Sequence, residues 1–228
     1  VYRLDETTLA LTICEDAWND KNFWQKSMYE ADPVEDLMKQ GGSLIINISA
    51  SPYERGKRAV RVHMLAAIAR RHQVPVVLVN QVGGNDSLVF DGSSVGIGEA
   101  GEVIVQGKSI EAAPVCSDTA RPEAANADHD AVPEPEEAAV YKALVLGTRD
   151  YVRKCGFSKA ILGLSGGIDS ALVAAIAVDA LGAENVTAIG MPSSYSSAGS
   201  IEDSRTLAAN LGVRFELIPI TDLFEQYN

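Results

Sequence analysis

The hexapeptide Ser165-Gly166-Gly167-Ile168-Asp169-Ser170 decides the fold of the second half of the chain. It follows the apolar run 160–164, which predicts a buried strand, and it leads into the run 171–181, which predicts a helix. A helix that begins directly after a glycine turn points unpaired backbone N–H groups at the turn, and its dipole adds partial positive charge there. The sequence therefore predicts an anion site at this strand-to-helix corner.

The side chains of the loop indicate which kind of anion it would bind. The two glycines let the backbone approach a phosphate closely, and Ser165 and Ser170 can donate hydroxyl hydrogen bonds. Asp169 does not suit a simple phosphate site, but a carboxylate beside a polyphosphate can hold a divalent cation such as Mg²⁺. A Walker A loop is excluded because its lysine is missing. The alternative is an ordinary corner in which Asp169 or Ser165 only caps the helix.

The loop resembles the PP-loop, Ser-Gly-Gly-x-Asp-Ser, of the ATP pyrophosphatases, which cleave ATP between the α and β phosphates and adenylylate a substrate. The chain up to residue 220 alternates in the order strand, helix, strand, helix, strand, which predicts a Rossmann-like parallel sheet. Ser200 with Asp203 predicts the cap of the second of these helices. We expect this PP-loop domain to occupy residues 139–228. The resemblance implies that magnesium binds Asp169 and that ATP is bound by Gly163, Leu164, Ser165, Gly166, Gly167, Ile168, Asp169 and Ser170.

The first half of the chain carries a cysteine directly after a predicted buried strand. Residues 9–13 are apolar or threonine, and Cys14 follows them. A thiol in that position can be held by the sheet, with the following N–H available to a developing oxyanion, which suits a nucleophile. The alternative is that Cys14 is a small buried hydrophobic residue.

The sequence Ile-Cys-Glu-Asp-Ala-Trp at residues 13–18 resembles the nucleophile segment of the nitrilase superfamily, in particular of its glutaminase domains. The resemblance implies that Cys14 is catalytic and that Ser51 and Lys57 bind glutamine, since an ammonium can pair with the α-carboxylate. The alternative for Lys57 is a solvated helix charge. In that superfamily the glutamate and lysine of a Glu-Lys-Cys triad lie upstream of the cysteine, where this sequence has no matching position. We therefore expect the chain as given not to hydrolyse glutamine, although its parent protein should.

The remaining signals of the first block predict alternating helices and strands. An N-cap and proline at Asp32-Pro33 start a helix, and the nearly continuous apolar run 43–48 predicts a strand covered on both faces. A second strand follows at 75–79, residues 80–86 predict a loop, and a hairpin spans 95–106. This order resembles the second half of a nitrilase-like α-β-β-α sandwich, so we expect residues 1–116 to be the C-terminal part of such a domain. The helix over 58–72 should present a solvated basic face formed by Arg55, Arg58, Arg61, His63, Arg70, Arg71 and His72.

Residues 117–138 separate the two blocks. They are rich in Ala, Pro, Asp and Glu, and their excess of six acids over bases is half of the chain's net charge of -12. Such a stretch predicts a linker that forms no packed core. The chain also begins within a predicted hairpin and ends where Thr221 would cap a new helix, so we expect it to be a piece of a longer protein.

Composition narrows the class of protein further. A chain of 228 residues with 46% hydrophobic content predicts one or two globular domains. The net negative charge argues against a nucleic-acid partner. Three widely separated cysteines, Cys14, Cys116 and Cys155, favour a reducing compartment over a disulfide framework. No apolar run has the length of a membrane span and no signal peptide pattern is present, so we expect a soluble, cytoplasmic protein without a membrane partner.

The order of the two resemblances, nitrilase-type glutaminase first and PP-loop synthetase second, is informative in itself. Residues 191–197 are also similar to the segment after the second strand of NAD synthetases. Together these features resemble the glutamine-dependent NAD synthetase family over nearly the whole chain. The resemblance implies ATP and Mg²⁺ as cofactors and a homo-oligomer that takes glutamine, ATP and nicotinic acid adenine dinucleotide as small-molecule substrates. The implied reaction amidates that dinucleotide to NAD through an acyl-adenylate, with release of AMP and pyrophosphate. The alternatives are a PP-loop amidotransferase with another acceptor and a non-catalytic nucleotide-binding regulator.

Overall fold

The computed structural model describes residues 1–24, 30–112, 135–222 and 226. The chain divides into two compact units: the first comprises Val1–Gly83 and Leu88–Ala143, and the second comprises Gly84–Ser87 and Leu144–Asn228. Each unit combines a sheet with helices, so the predicted α/β class is confirmed. Residues 117–134 of the predicted linker and Cys116 lie outside the described ranges, and residues 136–138 already belong to a helix.

The first unit contains a six-stranded mixed sheet. Its strands are β1 (Tyr2–Leu4), β2 (Thr7–Ile13), β3 (Leu44–Ser49) and β4 (Val76–Asn80), followed after the hairpin β5 (Val82–Asn85) and β6 (Leu88–Asp91) by β7 (Val95–Ile97) and β8 (Val103–Gln106). The order across the sheet is β1-β2-β3-β4-β7-β8, with β2, β3 and β4 parallel and the other pairs antiparallel. The predicted strands and the final hairpin are confirmed, whereas β5 was predicted as a loop.

One face of this sheet is covered by α1 (Pro33–Lys39) and α2 (Lys57–His72). Side chains of alternate strand residues point to that face, because successive residues of a strand alternate between the faces of a sheet. Their burial against α2 forms the core of the unit, whose most buried members include Ile45, Met64, Leu65, Ile68, Val76, Leu78 and Ile97.

The opposite face of the sheet is apolar and exposed within the described residues. Ile13, Ile48 and Val79 are aligned across β2, β3 and β4 and are 69%, 55% and 49% exposed. The run 43–48 was predicted as a strand covered on both faces, so the structure differs on the second face. The reason is that the described part of the chain supplies helices to one side of the sheet only.

The start of α1 agrees with the sequence signals, but the basic face predicted for α2 does not. Asp32 caps α1 by accepting a hydrogen bond from the Glu35 N–H at 3.1 Å. Arg61, in contrast, is 2% exposed, so its predicted place on a solvated face is wrong. It lies four residues before Leu65, on the stripe of α2 that faces the sheet, and its guanidinium pairs there with Asp91.

As predicted, the second unit contains a three-stranded parallel sheet. The order of its strands is β11 (Arg214–Leu217), β10 (Val186–Gly190) and β9 (Ala160–Gly163). Its helices are the part of α3 (Glu136–Lys154) from Leu144 onward, α4 (Ile168–Leu181) and α5 (Ala198–Leu211). The N-cap of α5 is Ser197, whose hydroxyl accepts from the Ser200 N–H at 3.0 Å. The predicted cap at Ser200 is therefore wrong by three residues, because Ser200 lies within the first turn. Among the described helices, none combines the length and apolar character needed to cross a bilayer.

Candidate functional site

Cys14 lies directly after β2, as predicted, and begins the 3-10 helix Cys14–Asn19. Its φ is +46°, a left-handed conformation that is costly for a residue other than glycine and that concentrates at functional sites. The thiol is free and the residue is partly buried. On one side the Ile13 N–H donates to the Asp16 carboxylate at 2.8 Å. The backbone around Cys14 is thus held in an unusual conformation by a local contact.

A second contact comes from Asn47, which is fully buried on β3. Its side-chain Nδ2 donates to the Thr12 hydroxyl at 3.0 Å and to the Cys14 carbonyl at 3.3 Å. Asn47 therefore ties the neighbouring strand to the cysteine. Sequence reasoning missed this residue, although a polar side chain inside an otherwise apolar strand run is a signal that could have indicated it.

Ser51 and Lys57, the predicted glutamine-binding residues, lie on the chain between β3 and the first turn of α2. Ser51 is 3% exposed, and within the described residues its hydroxyl is buried with no hydrogen-bond partner. The ammonium of Lys57 lies 5.5 Å from the centroid of the Trp18 ring. Trp18 belongs to the same short helix as Cys14. Lys57 is thus partly buried, with its ammonium against the short helix that begins at Cys14. No hydrogen bond within the described ranges joins the side chains of Cys14, Ser51 and Lys57, so their shared role stays a prediction.

The predicted ATP loop of the second unit is built around Gly166. Its φ is +82°, and a Cβ placed there would lie 2.4 Å from the Ser200 carbonyl oxygen and 2.8 Å from the Ser200 Cα. Only glycine permits both this conformation and this close approach to the start of α5. Gly167 has an ordinary extended backbone, with φ -87° and ψ 158°, and it is the N-cap of α4. Because glycine has no side chain to act as a cap, the first-turn N–H groups of α4 stay available to an anion.

The two serines of the loop hold its shape. The Ser170 hydroxyl donates to the Gly167 carbonyl at 2.9 Å and accepts from the Ser165 N–H at 3.2 Å. The two hydroxyl oxygens are 3.1 Å apart, and Ser165 Oγ also accepts from the Gly167 N–H at 3.4 Å. These hydroxyls are thus engaged within the loop, and their predicted donation to a phosphate stays a prediction.

A cavity of about 440 Å³ opens beside this loop within the second unit. Of the eight predicted ATP-binding residues, Gly163, Leu164 and Ser165 line it, whereas residues 166–170 lie outside its lining. Both apolar side chains and serine residues line the cavity, a mixture that suits a ligand with an aromatic part and a polar part. The remaining lining residues include Ile189, Met191, Pro192, Ser197, Ser200, Phe215 and Leu217.

Ser204 also lines this cavity, and the sequence did not indicate it. It is 2% exposed, and its hydroxyl lies 3.2 Å from the Leu164 carbonyl and 2.9 Å from the Ser200 carbonyl. It therefore ties the end of β9 to α5. No signal in the sequence distinguishes it from the other serines of the region, because its role depends on a contact between residues 40 positions apart.

Asp169, the predicted magnesium ligand, is exposed in the first turn of α4. The described residues contain no cluster of three or more His, Cys, Asp or Glu side chains that could hold a metal ion. Mg²⁺ is commonly bound by one or two carboxylates together with phosphate oxygens of a substrate and water. The donor set therefore fits a metal that arrives with a nucleotide, and it does not fit a metal held by the protein alone.

Comparison with known proteins covers both units. Residues 140–228 match the family model described as NAD synthase. The glutamine-dependent NAD(+) synthetase of Synechocystis sp. is 47% identical over 222 residues, which are 96% of this chain and 40% of the relative. That of Thermotoga maritima is 38% identical over 261 residues, which cover 100% of this chain and 44% of the relative. The chain thus spans about two fifths of the length of the curated relatives it matches.

Solved structures agree with this result. The structure of the glutamine-dependent NAD+ synthetase from Acinetobacter baumannii in complex with ADP superposes with a TM-score of 0.84 at 35% identity, covering 100% of this chain and 41% of that chain. A glutamine-dependent NAD(+) synthetase from Cytophaga hutchinsonii has the same fold, with a TM-score of 0.76 at 20% identity and coverage of 99% of this chain and 41% of that chain. The resemblance to the glutamine-dependent NAD synthetases expected from the sequence is therefore confirmed.

Proposed function

Because the chain is similar to glutamine-dependent NAD+ synthetases across both of its units, we propose that the protein containing it amidates nicotinic acid adenine dinucleotide to NAD at the expense of ATP, with glutamine as the source of ammonia. The observation that carries this proposal is the uncapped start of α4 beside the cavity of the second unit. It places an anion site next to a pocket that suits a nucleoside.

The proposed ATP site combines the loop and the cavity. The triphosphate lies against the N-terminal amides of α4, and the nucleoside lies against the apolar wall of the cavity, with Gly163, Leu164 and Ser165 at the junction. Gly166, Gly167, Ile168, Asp169 and Ser170 form the phosphate end. The ADP complex of the Acinetobacter baumannii synthetase supports nucleotide binding by this fold.

Mg²⁺ is proposed at Asp169, where it would neutralise charge on the phosphates as pyrophosphate leaves. A carboxylate oxygen of the dinucleotide attacks the α-phosphorus of ATP, the bond to the β-phosphate oxygen breaks, and pyrophosphate is released. Ammonia then attacks the acyl carbon, AMP leaves with the electron pair of the C–O bond, and a proton passes to solvent. The loop amides stabilise the charge that develops on the phosphates.

Ammonia is proposed to come from glutamine at Cys14. The Cys14 thiol gives up its proton and attacks the amide carbon of glutamine, and the nitrogen takes up that proton and leaves as ammonia. Water then hydrolyses the thioester to glutamate and restores the thiol. The left-handed backbone of Cys14 and the contact of Lys57 with Trp18 support this role, because the ammonium of Lys57 on α2 lies against the short helix that begins at Cys14. In this scheme Ser51 and Lys57 bind the substrate.

The finer architecture is also part of the proposal. The exposed apolar face of the six-stranded sheet supports a nitrilase-like α-β-β-α sandwich, in which a second sheet would cover that face. We keep residues 1–116, 117–138 and 139–228 as the glutaminase-like part, the linker and the PP-loop part. A homo-oligomer and a cytoplasmic location are proposed from the same family resemblance, and free Cys14 and Cys155 agree with a reducing compartment.

The test uses the natural polypeptide that contains this chain, with ATP, Mg²⁺ and either ammonia or glutamine. Nicotinic acid adenine dinucleotide should yield NAD, AMP and pyrophosphate in equal amounts, and other acceptor carboxylates should yield no AMP. Asp169→Asn should lower the ammonia-dependent rate about a hundredfold or more, which is the loss typical of a removed charge-stabilising group. Glu184→Gln, beyond the opposite end of α4, is the matched control and should retain the rate. AMP formation that is independent of the dinucleotide, or full activity of Asp169→Asn, would contradict the proposal.

A further inference from the structure

A buried polar network connects the two residues proposed to bind glutamine. Its members are Asn80 at the end of β4, Asp91 at the end of β6 and Arg61 on α2. They are 6%, 2% and 2% exposed. Three polar side chains at this depth are expensive to bury unless each is paired, so their geometry requires a reason.

Asn80 holds the segment that carries Ser51. Its Oδ1 accepts a hydrogen bond from the Ser51 N–H at 2.8 Å, and its Nδ2 donates to the Gly92 carbonyl at 2.9 Å. The same Nδ2 lies 3.4 Å from Asp91 Oδ1. These partners fix the orientation of the carboxamide, because a donor faces one end and acceptors face the other. The position of the Ser51 backbone therefore depends on the side chain of Asn80.

The Arg61–Asp91 pair holds the first turns of α2. Asp91 contacts Asn80 through Oδ1 and the Arg61 guanidinium through Oδ2. Arg61 lies four residues after Lys57, so both side chains lie on the same side of α2, one turn apart. A shift of Arg61 along or around the helix axis would carry Lys57 with it.

The network leaves buried polar groups without a hydrogen-bond partner among the described residues, namely the Ser51 hydroxyl and the Nε and Nη1 atoms of Arg61. The Ser51 hydroxyl is buried and lacks a hydrogen-bond partner within the described residues, while the Ser51 N–H and carbonyl both contact Asn80. A backbone fixed at both groups with its hydroxyl unused is the geometry expected of a preorganised binding group. An arrangement that served stability alone would gain by pairing that hydroxyl as well.

We propose that Asn80, Asp91 and Arg61 are positioning residues that set the placement of Ser51 and Lys57 for the α-amino and α-carboxylate groups of glutamine. This inference rests on the proposed function, since it concerns the glutamine site of that reaction. The three residues do not touch the reacting atoms. They act through Ser51 and Lys57, and a defect in them should weaken glutamine binding while leaving the chemistry at Cys14 and the synthetase reaction in place.

The test compares glutamine-dependent and ammonia-dependent NAD formation in the natural polypeptide that contains this chain. Asn80→Asp has the same shape, but it replaces the donor to Gly92 by an oxygen and adds a charge beside Asp91. Asp91→Asn leaves the guanidinium of Arg61 without a charged partner. Each variant should raise the KM for glutamine about tenfold or more, as expected for losing hydrogen bonds in a buried network, with the KM for ammonia changed less than about twofold.

Two further variants separate positioning from stability. Ile97 is a fully buried, apolar residue of the six-stranded sheet that also contains Asn80. Ile97→Ala should therefore lower stability without raising the KM for glutamine. If Asp91→Asn does not fold, the double variant Arg61→Met with Asp91→Leu removes both charges with little change in volume and should fold. It should still raise the KM for glutamine.

The outcomes are distinguishable from failure of the proposed function. If the unsubstituted protein forms NAD with ammonia but does not use glutamine, the glutaminase assignment fails before any variant is compared. If it uses glutamine and Asn80→Asp or the double variant keeps the original KM, the positioning role is wrong. An equal rise in KM for Ile97→Ala would also overturn it, because general destabilisation would then explain the effect.

Discussion

Replacing Gly166 by alanine tests whether the PP-loop is locked against α5. The left-handed backbone at φ +82° would cost an alanine about 1–2 kcal/mol. The new Cβ would also meet the Ser200 carbonyl oxygen at 2.4 Å, a contact with backbone that cannot be relieved by rotating a side chain. Overpacking of this kind typically adds about 1–3 kcal/mol. We therefore expect Gly166→Ala to destabilise the second unit by about 2–5 kcal/mol.

Gly167→Ala is the matched control. Its backbone conformation suits any residue, and the nearest atom to its Cβ is Ser165 Oγ at 3.5 Å, an ordinary contact. The effect of the extra methyl on the unfolded chain is the same for both variants, so it cancels in the comparison. We expect a cost below about 1 kcal/mol for this variant, from the poorer N-cap alone.

The measurement is native-state hydrogen exchange of the amides in α4 and α5, without nucleotide. Both tryptophans, Trp18 and Trp24, belong to the first unit, so their fluorescence reports whether that unit is unaffected. Protection in α4 and α5 should fall at least about fivefold further in Gly166→Ala than in Gly167→Ala, because the expected costs differ by at least about 1 kcal/mol and 1.4 kcal/mol corresponds to about a factor of ten. Equal protection in the two variants would show that the loop does not depend on its approach to Ser200.

Two other predictions concern the first unit, with urea unfolding followed by tryptophan fluorescence. Asp32→Ala should lower the free energy of unfolding by about 0.5–2 kcal/mol, because the Glu35 N–H loses its acceptor. Asp32→Asn keeps an acceptor and should lower it much less. Equal losses for the two variants would contradict the capping role of Asp32. Burial and the positive charge of Arg71 lower the pKa of His72. The carboxylates of Glu35, Asp20 and Asp32 act in the opposite direction but do not reverse this shift. The unfolded chain therefore binds a proton more readily, and stability should fall as pH drops below the usual histidine pKa of about 6.5. His72→Gln should flatten this dependence between roughly pH 8 and pH 5, and an unchanged slope would show that His72 does not contribute to it.

Local signals were sufficient for much of the fold. Asp32-Pro33 predicted the start of α1, the alternation of glycine turns with apolar runs predicted the strands, and Ser165 to Ser170 predicted the corner that begins α4. Each of these features depends on residues within one turn or one strand of each other, so backbone propensity and hydrophobic period are enough to place them.

The sequence also located the candidate site residues, because Cys14 and the glycine loop follow short apolar strands at the strand ends where sites form. It could not find the residues that hold them. Asn47, Asn80 and Ser204 are single polar residues, and each bonds to a group that lies 29 to 40 positions away in the chain, Cys14, Ser51 and Leu164 respectively. Nothing local to them indicates a partner.

Arg61 shows the physical reason most clearly. By itself the sequence determined the helical period of α2 and therefore which residues lie on the same stripe as Leu65. A charged residue on that stripe is not expected to be buried unless it has a partner of opposite charge. Only the tertiary structure brought Asp91 to it from the end of β6, and pairing with a carboxylate reverses the preference of a guanidinium for water. Periodicity along the chain is local, whereas the burial of a charge is decided by a partner that only the fold supplies.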